Sequence, residues 1–347
     1  MSAGSPASVF SSQCSIGSKF GLPSGMKRLD VSHKPQATKS IIQGASLSGG
    51  FEHITVLREE VVAALRSVPA GVIVDCTLGG GGHSEALLRS RDDIRVIGID
   101  RDPSAIAAAT ERLSDFGDRF VACEGSYSDI ARIVSEQGVE RVSGIVADVG
   151  VSSHQIDTAD RGFSFQKEGP LDMRMGPCVG PTAADYVNNV ERQELCDALR
   201  AYGDVRSPWK VAGAIVDNRP FKTTLELAEV ISVALGGRRG RVHPATRSFQ
   251  AIRIVVNDEL GELKALLSLI PSLLIPGGIA SIISFHSAED RMVKRSFFDM
   301  AGVGSERDAY GNPMVAPKAR LLKRGAVKGG GENVRARSAR LRSLEWM

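Results

Sequence analysis

The sequence predicts an α/β protein, a parallel and doubly wound sheet with a helical segment inserted between its fourth and fifth strands. Three observations carry this. From His53 onward, short apolar runs rich in β-branched residues alternate with stretches of helical spacing, the rhythm of successive βαβ units. The first run ends in the glycines Gly79 to Gly82, a sharp turn from strand into helix. The alternation then stops between about Gln155 and Val256, and a strand signal returns only at Gly278.

Taken in order, Val72 to Leu78 reads as the first strand, followed by a helix over Ser84 to Arg89. Arg95 to Asp100 is the second strand and Pro103 to Leu113 its helix; Phe120 to Cys123 is the third strand, Ile130 to Gln137 a helix, and Gly144 to Val149 the fourth strand. The interrupting stretch is mostly helical: Glu191 to Ala201, Trp209 to Asp217, Thr224 to Leu235 and Ser248 to Val256, joined by loops rich in Gly, Pro and Arg. A helix over Asp258 to Leu269 leads back to the fifth strand, Gly278 to Phe285, and two late basic strands near Ala319 to Lys323 and Ser338 to Leu344 complete a sheet edge. The implied organisation is a nucleotide-binding core of residues 51–155 and 257–347, with residues 156–256 inserted for substrate recognition.

Composition narrows the class. With 42% hydrophobic residues in 347, the chain can bury a sizeable core. No apolar run reaches membrane-spanning length, the longest being broken by Pro276, Gly277 and Gly278, so no membrane association is expected. The formal net charge of +3 permits a polyanionic partner without demanding one. Its placement says more: Lys318, Arg320, Lys323, Arg324, Lys328, Arg335, Arg337, Arg340 and Arg342 face a single acid, Glu332. That tail reads either as a phosphate-contacting surface or as a solvated basic stretch. The five cysteines (Cys14, Cys76, Cys123, Cys178, Cys196) form no C-x-x-C pair and no zinc-like spacing with histidine, so a reducing compartment and no metal are expected. Residues 1–50 are rich in Ser and Gly, carry only Asp30 as an acid, and have their first basic residue at Lys19. This composition fits a disordered transit peptide, for the plastid stroma rather than the mitochondrion, whose presequences carry early arginines.

The glycine turn points to a ligand. Asp75-Cys76-Thr77-Leu78-Gly79-Gly80-Gly81-Gly82-His83-Ser84 joins the first strand to the first helix, where backbone N–H groups are free and a ligand can approach closely. Dinucleotide folds place a third glycine three residues beyond the second, for the pyrophosphate; that place is Ser84 here. An acid four residues before G-x-G suits S-adenosylmethionine, which has an amino acid moiety and no pyrophosphate. Asp100, about twenty residues on at the end of the second strand, can accept both ribose hydroxyl hydrogens.

Several longer motifs follow one another: Ile99-Asp100-Arg101-Asp102-Pro103, Asp148-Val149-Gly150-Val151-Ser152-Ser153, Arg161-Gly162-Phe163-Ser164-Phe165, Gly169-Pro170-Leu171-Asp172-Met173-Arg174-Met175, His243-Pro244-Ala245-Thr246-Arg247, Phe249-Gln250-Ala251-Ile252-Arg253-Ile254 and Ile283-Ser284-Phe285-His286-Ser287. With the glycine turn, they resemble the MraW-type small-subunit ribosomal RNA cytosine-N4 methyltransferases of bacteria, over about Glu52 to Arg342. The resemblance implies a class I methyltransferase (Rossmann-like) core with a helical insertion, S-adenosylmethionine as donor, and a cytosine in the decoding region as target. By matching position, the donor contacts are Gly81, Gly82, His83, Asp100, Tyr127, Asp148 and Gln155. Two positions depart from the family pattern. Tyr127 replaces the usual Phe and keeps an aromatic face for adenine, while His154 replaces the usual Pro and leaves the shape of that loop open.

The chemistry asks for alignment and for an acceptor near the amine as positive charge develops on it. Asp148, at the carboxyl end of the fourth strand, is the catalytic candidate, able to hold the donor, polarise the amine, or both. Arg161, Phe163 and Arg174, on a loop with a Gly-Pro turn, suit closure on an extruded base, or else fold as core. His243, Arg247, Arg253 and His286 are further RNA candidates, with internal salt bridges and a buried histidine as the alternatives. The partner is then small-subunit ribosomal RNA or the assembling subunit. Three rivals stand beside this reading. A nicotinamide dehydrogenase needs Gly at position 84; a cytosine-C5 enzyme needs a thiolate, for which Pro177-Cys178 is the candidate; a non-catalytic ribosome-assembly factor could keep the fold as an RNA clamp.

Overall fold

The computed structural model describes residues 55–176, 180–237, 240, 242–306, 308, 314, 316–330 and 334–347. The leader of residues 1–50 and the Pro177-Cys178 dipeptide lie outside them. An opening helix α1 (Arg58–Leu65) leads into β1 (Gly71–Asp75), α2 (Gly82–Ser90), β2 (Ile94–Asp100), α3 (Pro103–Arg112), β3 (Phe120–Glu124), α4 (Ile130–Glu136) and β4 (Val142–Asp148). Then come α5 (Ser153–Asp157), α6 (Ala183–Asn189), α7 (Arg192–Gly203), α8 (Pro208–Asp217), α9 (Thr224–Ala234), α10 (Thr246–Val256) and α11 (Glu259–Leu273). The chain re-enters the sheet with β5 (Leu274–Ser284) and ends in α12 (Ser287–Met300), β6 (Ala319–Leu321), β7 (Val327–Lys328) and β8 (Arg340–Trp346).

The sheet runs β3-β2-β1-β4-β5-β8-β6, with β7 also on β8. The first five strands are parallel and β8 joins β5 antiparallel. This is the class I methyltransferase arrangement, in which the order reverses beside β1 and opens a crevice at the carboxyl ends of β1 and β4. Strand composition explains the layers. In β1, Val74 belongs to the core with α4, α11 and α12, while its neighbour Ile73 belongs to the core with α1 and α2. Ile97 and Val96 divide in the same way, as do Ile145 and Val146 and then Ile282 and Ile283. Both sheet faces are covered, so these strands read as unbroken apolar runs.

The helices α6 to α10 carry a separate core, built on Leu195, Leu199, Ile215, Leu227, Ile231 and Ile252. α11, by contrast, packs on the sheet through Leu263, Leu266, Leu267 and Ile270. The basic tail is partly built into the sheet: Arg340 and Arg342 of β8 both bind Asp290 of α12, and Arg320 pairs with Glu345. Lys323, Arg324, Lys328 and Arg337 remain exposed.

Candidate functional site

The site grows from the turn after β1. Gly79 and Gly81 hold φ of 48° and 77°, a left-handed conformation that glycine adopts without Cβ strain. Gly82 packs closely against Thr55, whose side chain would have to give way to a Cβ there. The turn is laced to its neighbours. Leu78 N–H donates to Ile99 O (2.9 Å), Gly79 N–H to Asp100 Oδ2 (2.8 Å), and Asp148 N–H to Thr77 Oγ1 (2.6 Å). The carboxyl ends of β1, β2 and β4 are thereby held in one place.

Asp75 is a scaffold residue. Its carboxylate is fully buried and accepts from Ser84 Oγ–H (2.7 Å) and Thr77 N–H (3.2 Å). Burial pushes its carboxyl above the ordinary 3.8, against the opposing pull of His83, Ser84 and Thr77. Ser84 therefore stands where a dinucleotide fold has glycine because the hydroxyl satisfies this buried acid. Asp100 accepts from Gly79 N–H and, through Oδ1, from Asp102 N–H (2.9 Å). Burial raises its carboxyl too, with those two backbone bonds opposing. Each carboxylate oxygen keeps a second acceptor site.

His83 and Asp148 differ from these. His83 is 5% exposed, and neither of its ring nitrogens has a hydrogen-bond partner among the described residues. Its Nε2 lies 3.8 Å from Asp148 Oδ2. Asp148 Oδ1 is likewise buried and unpartnered among the described residues. Burial works against the charged imidazole, but Asp148 and then Asp75 outweigh it and leave the His83 pKa raised above 6.5, with Arg58 opposing. Native proteins pair their buried polar groups, so three such atoms in one crevice mark a place for a polar ligand.

Tyr127 follows β3 in a 3-10 turn and packs against the sheet core, its hydroxyl 3.5 Å from Glu259 O and the Arg101 guanidinium 5.8 Å from its ring centre. Burial pushes its phenol well up. Gln155 is buried in α5, accepting from Ser152 N–H (3.0 Å) and donating to Met175 O (3.3 Å) and Asp102 Oδ2 (3.5 Å). His154 is exposed in that same helix, where Ser152 supplies the cap.

The residues expected at the RNA divide by their partners. Arg161 binds Asp102 and donates to Arg174 O (3.1 Å) and Met175 O (2.9 Å), so its guanidinium ties the loop to the start of α3. Arg174 forms a two-point pair with Asp172 (2.8 and 2.9 Å). Phe163 is half-buried against the core of α6 to α10, as is Phe165, whose ring lies 4.7 Å from those of His243 and Phe249. His243 Nδ1 accepts from Ala245 N–H (3.2 Å). Arg247 is exposed and donates to Asp204 O (2.8 Å). Arg253 is paired at both ends with Glu259 (2.6 and 2.7 Å). His286 caps α12 and lies 3.0 Å from Glu289. One atom each of Glu259, His286 and Glu289 lie within 4.8 Å of one another, and Arg253 supplies the cation there.

Sequence reasoning passed over Thr77, Asp102 and Glu259, whose contacts with Asp148, Arg161 and Arg253 are made only in the fold, and read Asp75 as a ligand signal rather than as the buried support of the turn. Among the described residues, no helix is long and apolar enough to cross a membrane.

The sequence also matches known proteins. The model of a family described as the MraW methylase family matches residues 50–347. A "Ribosomal RNA small subunit methyltransferase H" of Geobacter sulfurreducens is 44% identical over 316 residues, covering 85% of this chain and 99% of that protein. Proteins of the same name from Acidiphilium cryptum and from a Picosynechococcus are each 46% identical, covering 86% of this chain and 99% and 98% of theirs.

Proposed function

The chain belongs to the MraW methylase family, and from that premise we propose that it methylates the exocyclic N4 of a cytosine in the decoding region of small-subunit ribosomal RNA. Methylation of small-subunit ribosomal RNA is the activity in the relatives' shared name, and S-adenosylmethionine is the donor this reading takes. The leader composition supports a setting in the plastid stroma.

The unpartnered atoms of His83 and Asp148 carry this reading. With the glycine turn below them and Asp100 beside them, they fit a donor that has a cationic centre, an amino acid moiety and ribose hydroxyls. Asp100 would accept from the ribose, the Gly81-Gly82 turn and His83 would face the amino acid end, and Tyr127 would offer its ring to adenine. Gln155, through Asp102 and Met175, holds the loop that closes beside them. When bound, S-adenosylmethionine supplies a methyl carbon activated by a sulfonium. The protein's part is to hold the cytosine amine in line with that carbon and to accept its hydrogen at Asp148 Oδ1 as charge develops on nitrogen.

Nitrogen methylation needs no thiol intermediate, and the cysteine beside the glycine turn, Cys76, is part of the sheet core. Cys76, next to Asp75, is fully buried and its thiol is pushed well up by burial and by Asp75, which suppresses the thiolate a carbon methylase requires. On the nitrogen reading Cys178→Ser should keep near-normal turnover, while Asp148→Ala should lose most of it at saturating donor. Mass analysis of digested RNA should find the methyl on the exocyclic nitrogen. Loss of turnover in the serine variant, with a trapped protein–RNA adduct on 5-fluorocytosine, would establish carbon methylation instead.

A further inference from the structure

His83 is buried, and Asp148 beside it is a quarter exposed. His83 stands on the first turn of α2 and Asp148 at the end of β4, with Nε2 and Oδ2 3.8 Å apart. The groups facing His83 come from three elements: Asp148, Asp75 at the end of β1, and Arg58 at the start of α1. Asp75 is already satisfied by Ser84 and Thr77. Asp148 is not, since its Oδ1 has no partner among the described residues and its remaining neighbour is an imidazole that can gain or lose a proton. A partly buried carboxylate favours a neighbouring positive charge. Two cations can supply it here, the imidazolium of His83 or a cation brought by a ligand, and like charges side by side disfavour each other.

We propose that His83 is the counter-ion that yields to the cationic methyl donor, so that the crevice distinguishes the sulfonium substrate from its neutral thioether product by the protonation state of this histidine. The inference rests on the methyl-donor reading above. With no donor bound, protonated His83 balances Asp148. Binding of a sulfonium takes over that role and one proton leaves His83 for solvent. After methyl transfer the product sulfur is neutral, and the proton that the methylated amine gives up at Asp148 passes to His83, so that the imidazolium again balances the carboxylate. The raised His83 pKa is consistent with this, since Asp148 and Asp75 favour the protonated form over the desolvation that opposes it. Linkage makes the effect reciprocal: a protonated His83 weakens the donor as much as the donor weakens the proton.

The test is titration calorimetry of the full chain with S-adenosylmethionine and with S-adenosylhomocysteine between pH 5.5 and 7, where the ligands' own amino groups stay largely protonated. For the wild type, donor affinity should fall by up to about tenfold per pH unit below the His83 titration, while thioether affinity changes less than about twofold. In His83→Gln, which keeps an N–H donor but cannot titrate, both should be flat. Repeating the wild-type titrations in buffers of different ionisation enthalpy gives a readout that needs no variant: protons released with the sulfonium, none with the thioether. Parallel pH dependence for the two ligands, equal proton release, or a selectivity that persists unchanged in His83→Gln overturns the proposal. Failure of both ligands to bind at any pH overturns the donor reading on which it stands, and the proposal with it.

Discussion

Asp100→Asn tests the donor pocket most directly. The Asp100 carboxylate receives Gly79 N–H on one oxygen and Asp102 N–H on the other, so the two free lone pairs left for ribose hydroxyls sit on atoms already fixed by the turn. Asparagine keeps one carbonyl oxygen and turns the other acceptor into a donor. A hydrogen bond to a charged group contributes about 1.5–3 kcal/mol, a neutral one about 1 kcal/mol; the ribose contact should therefore weaken by about 1–3 kcal/mol, roughly 5- to 150-fold in Kd. Calorimetry with S-adenosylmethionine measures this. Asp100→Ala serves as the structural comparison, because it also strips the acceptors from Gly79 and Asp102 and should lower the melting temperature as well. Unchanged affinity in the asparagine variant would move the ribose away from Asp100 and refute the reasoning; loss of binding in alanine alone would assign Asp100 to the turn and not to the ligand.

Gly82→Ala should cost both stability and donor affinity, because the Thr55 side chain would have to give way to its methyl; a normal melting temperature with normal binding would contradict the packing. Asp290, gripped by Arg340 and Arg342, has its carboxyl held below 3.8, burial pushing it up but the hydrogen bonds and charge of Arg342 and then Arg340 prevailing. A depressed folded pKa gives stability that is present above the unfolded value and lost as pH falls through the folded one. Asp290→Asn should thus destabilise by about 1–3 kcal/mol at pH 7 and flatten the acid loss of stability below about pH 4, read from urea midpoints across pH. A chain starting at residue 50 should bind donor and methylate RNA as the full chain does, whereas residues 1–50 fused to a fluorescent protein should direct it to plastids; mitochondrial import would refute the plastid assignment.

Most of the sheet was legible because its strands are apolar on both faces, which a chain cannot hide. Ile73 and Val74 need opposite layers, so the run itself announces a covered sheet. β5 was read four residues late, since Pro276 and Gly277 look like a stop; the strand instead begins at Leu274 and passes through a register shift beside Val142 and Gly144. α6 and α12 escaped notice for a different reason. Each buries only a thin stripe, Ala183 with Val187 in one and Val293 with Phe297 in the other. Their capping boxes, Thr182 with Asp185 and His286 with Glu289, were the available signals, and a histidine cap is easily read as a site residue.

The site was legible in its residue types and not in its partners. An arginine in a loop reads alike whether it faces a phosphate or a carboxylate folded back from elsewhere. Arg161 meets Asp102 across 59 positions, a pairing made by the crevice closing and invisible to local pattern. Arg253 and Glu259 are only six apart, yet their contact depends on Asp258 turning the chain at φ 47° between α10 and α11. Once these internal pairs are drawn, positive charge alone no longer distinguishes a ligand-facing group, because Arg161, Arg174 and Arg253 all have acids of their own. What distinguishes one is an unmet requirement. Asp75 is fully buried but satisfied by Ser84, and Asp100 is anchored by two backbone donors, whereas Asp148 Oδ1 and both nitrogens of His83 have no such partner among the described residues. Buried atoms without a partner occur elsewhere too, Arg101 Nε among them, but among the described residues only in the His83 and Asp148 group do three of them meet the turn that Asp75 and Asp100 hold in place, and that difference is where a ligand would gain its binding energy.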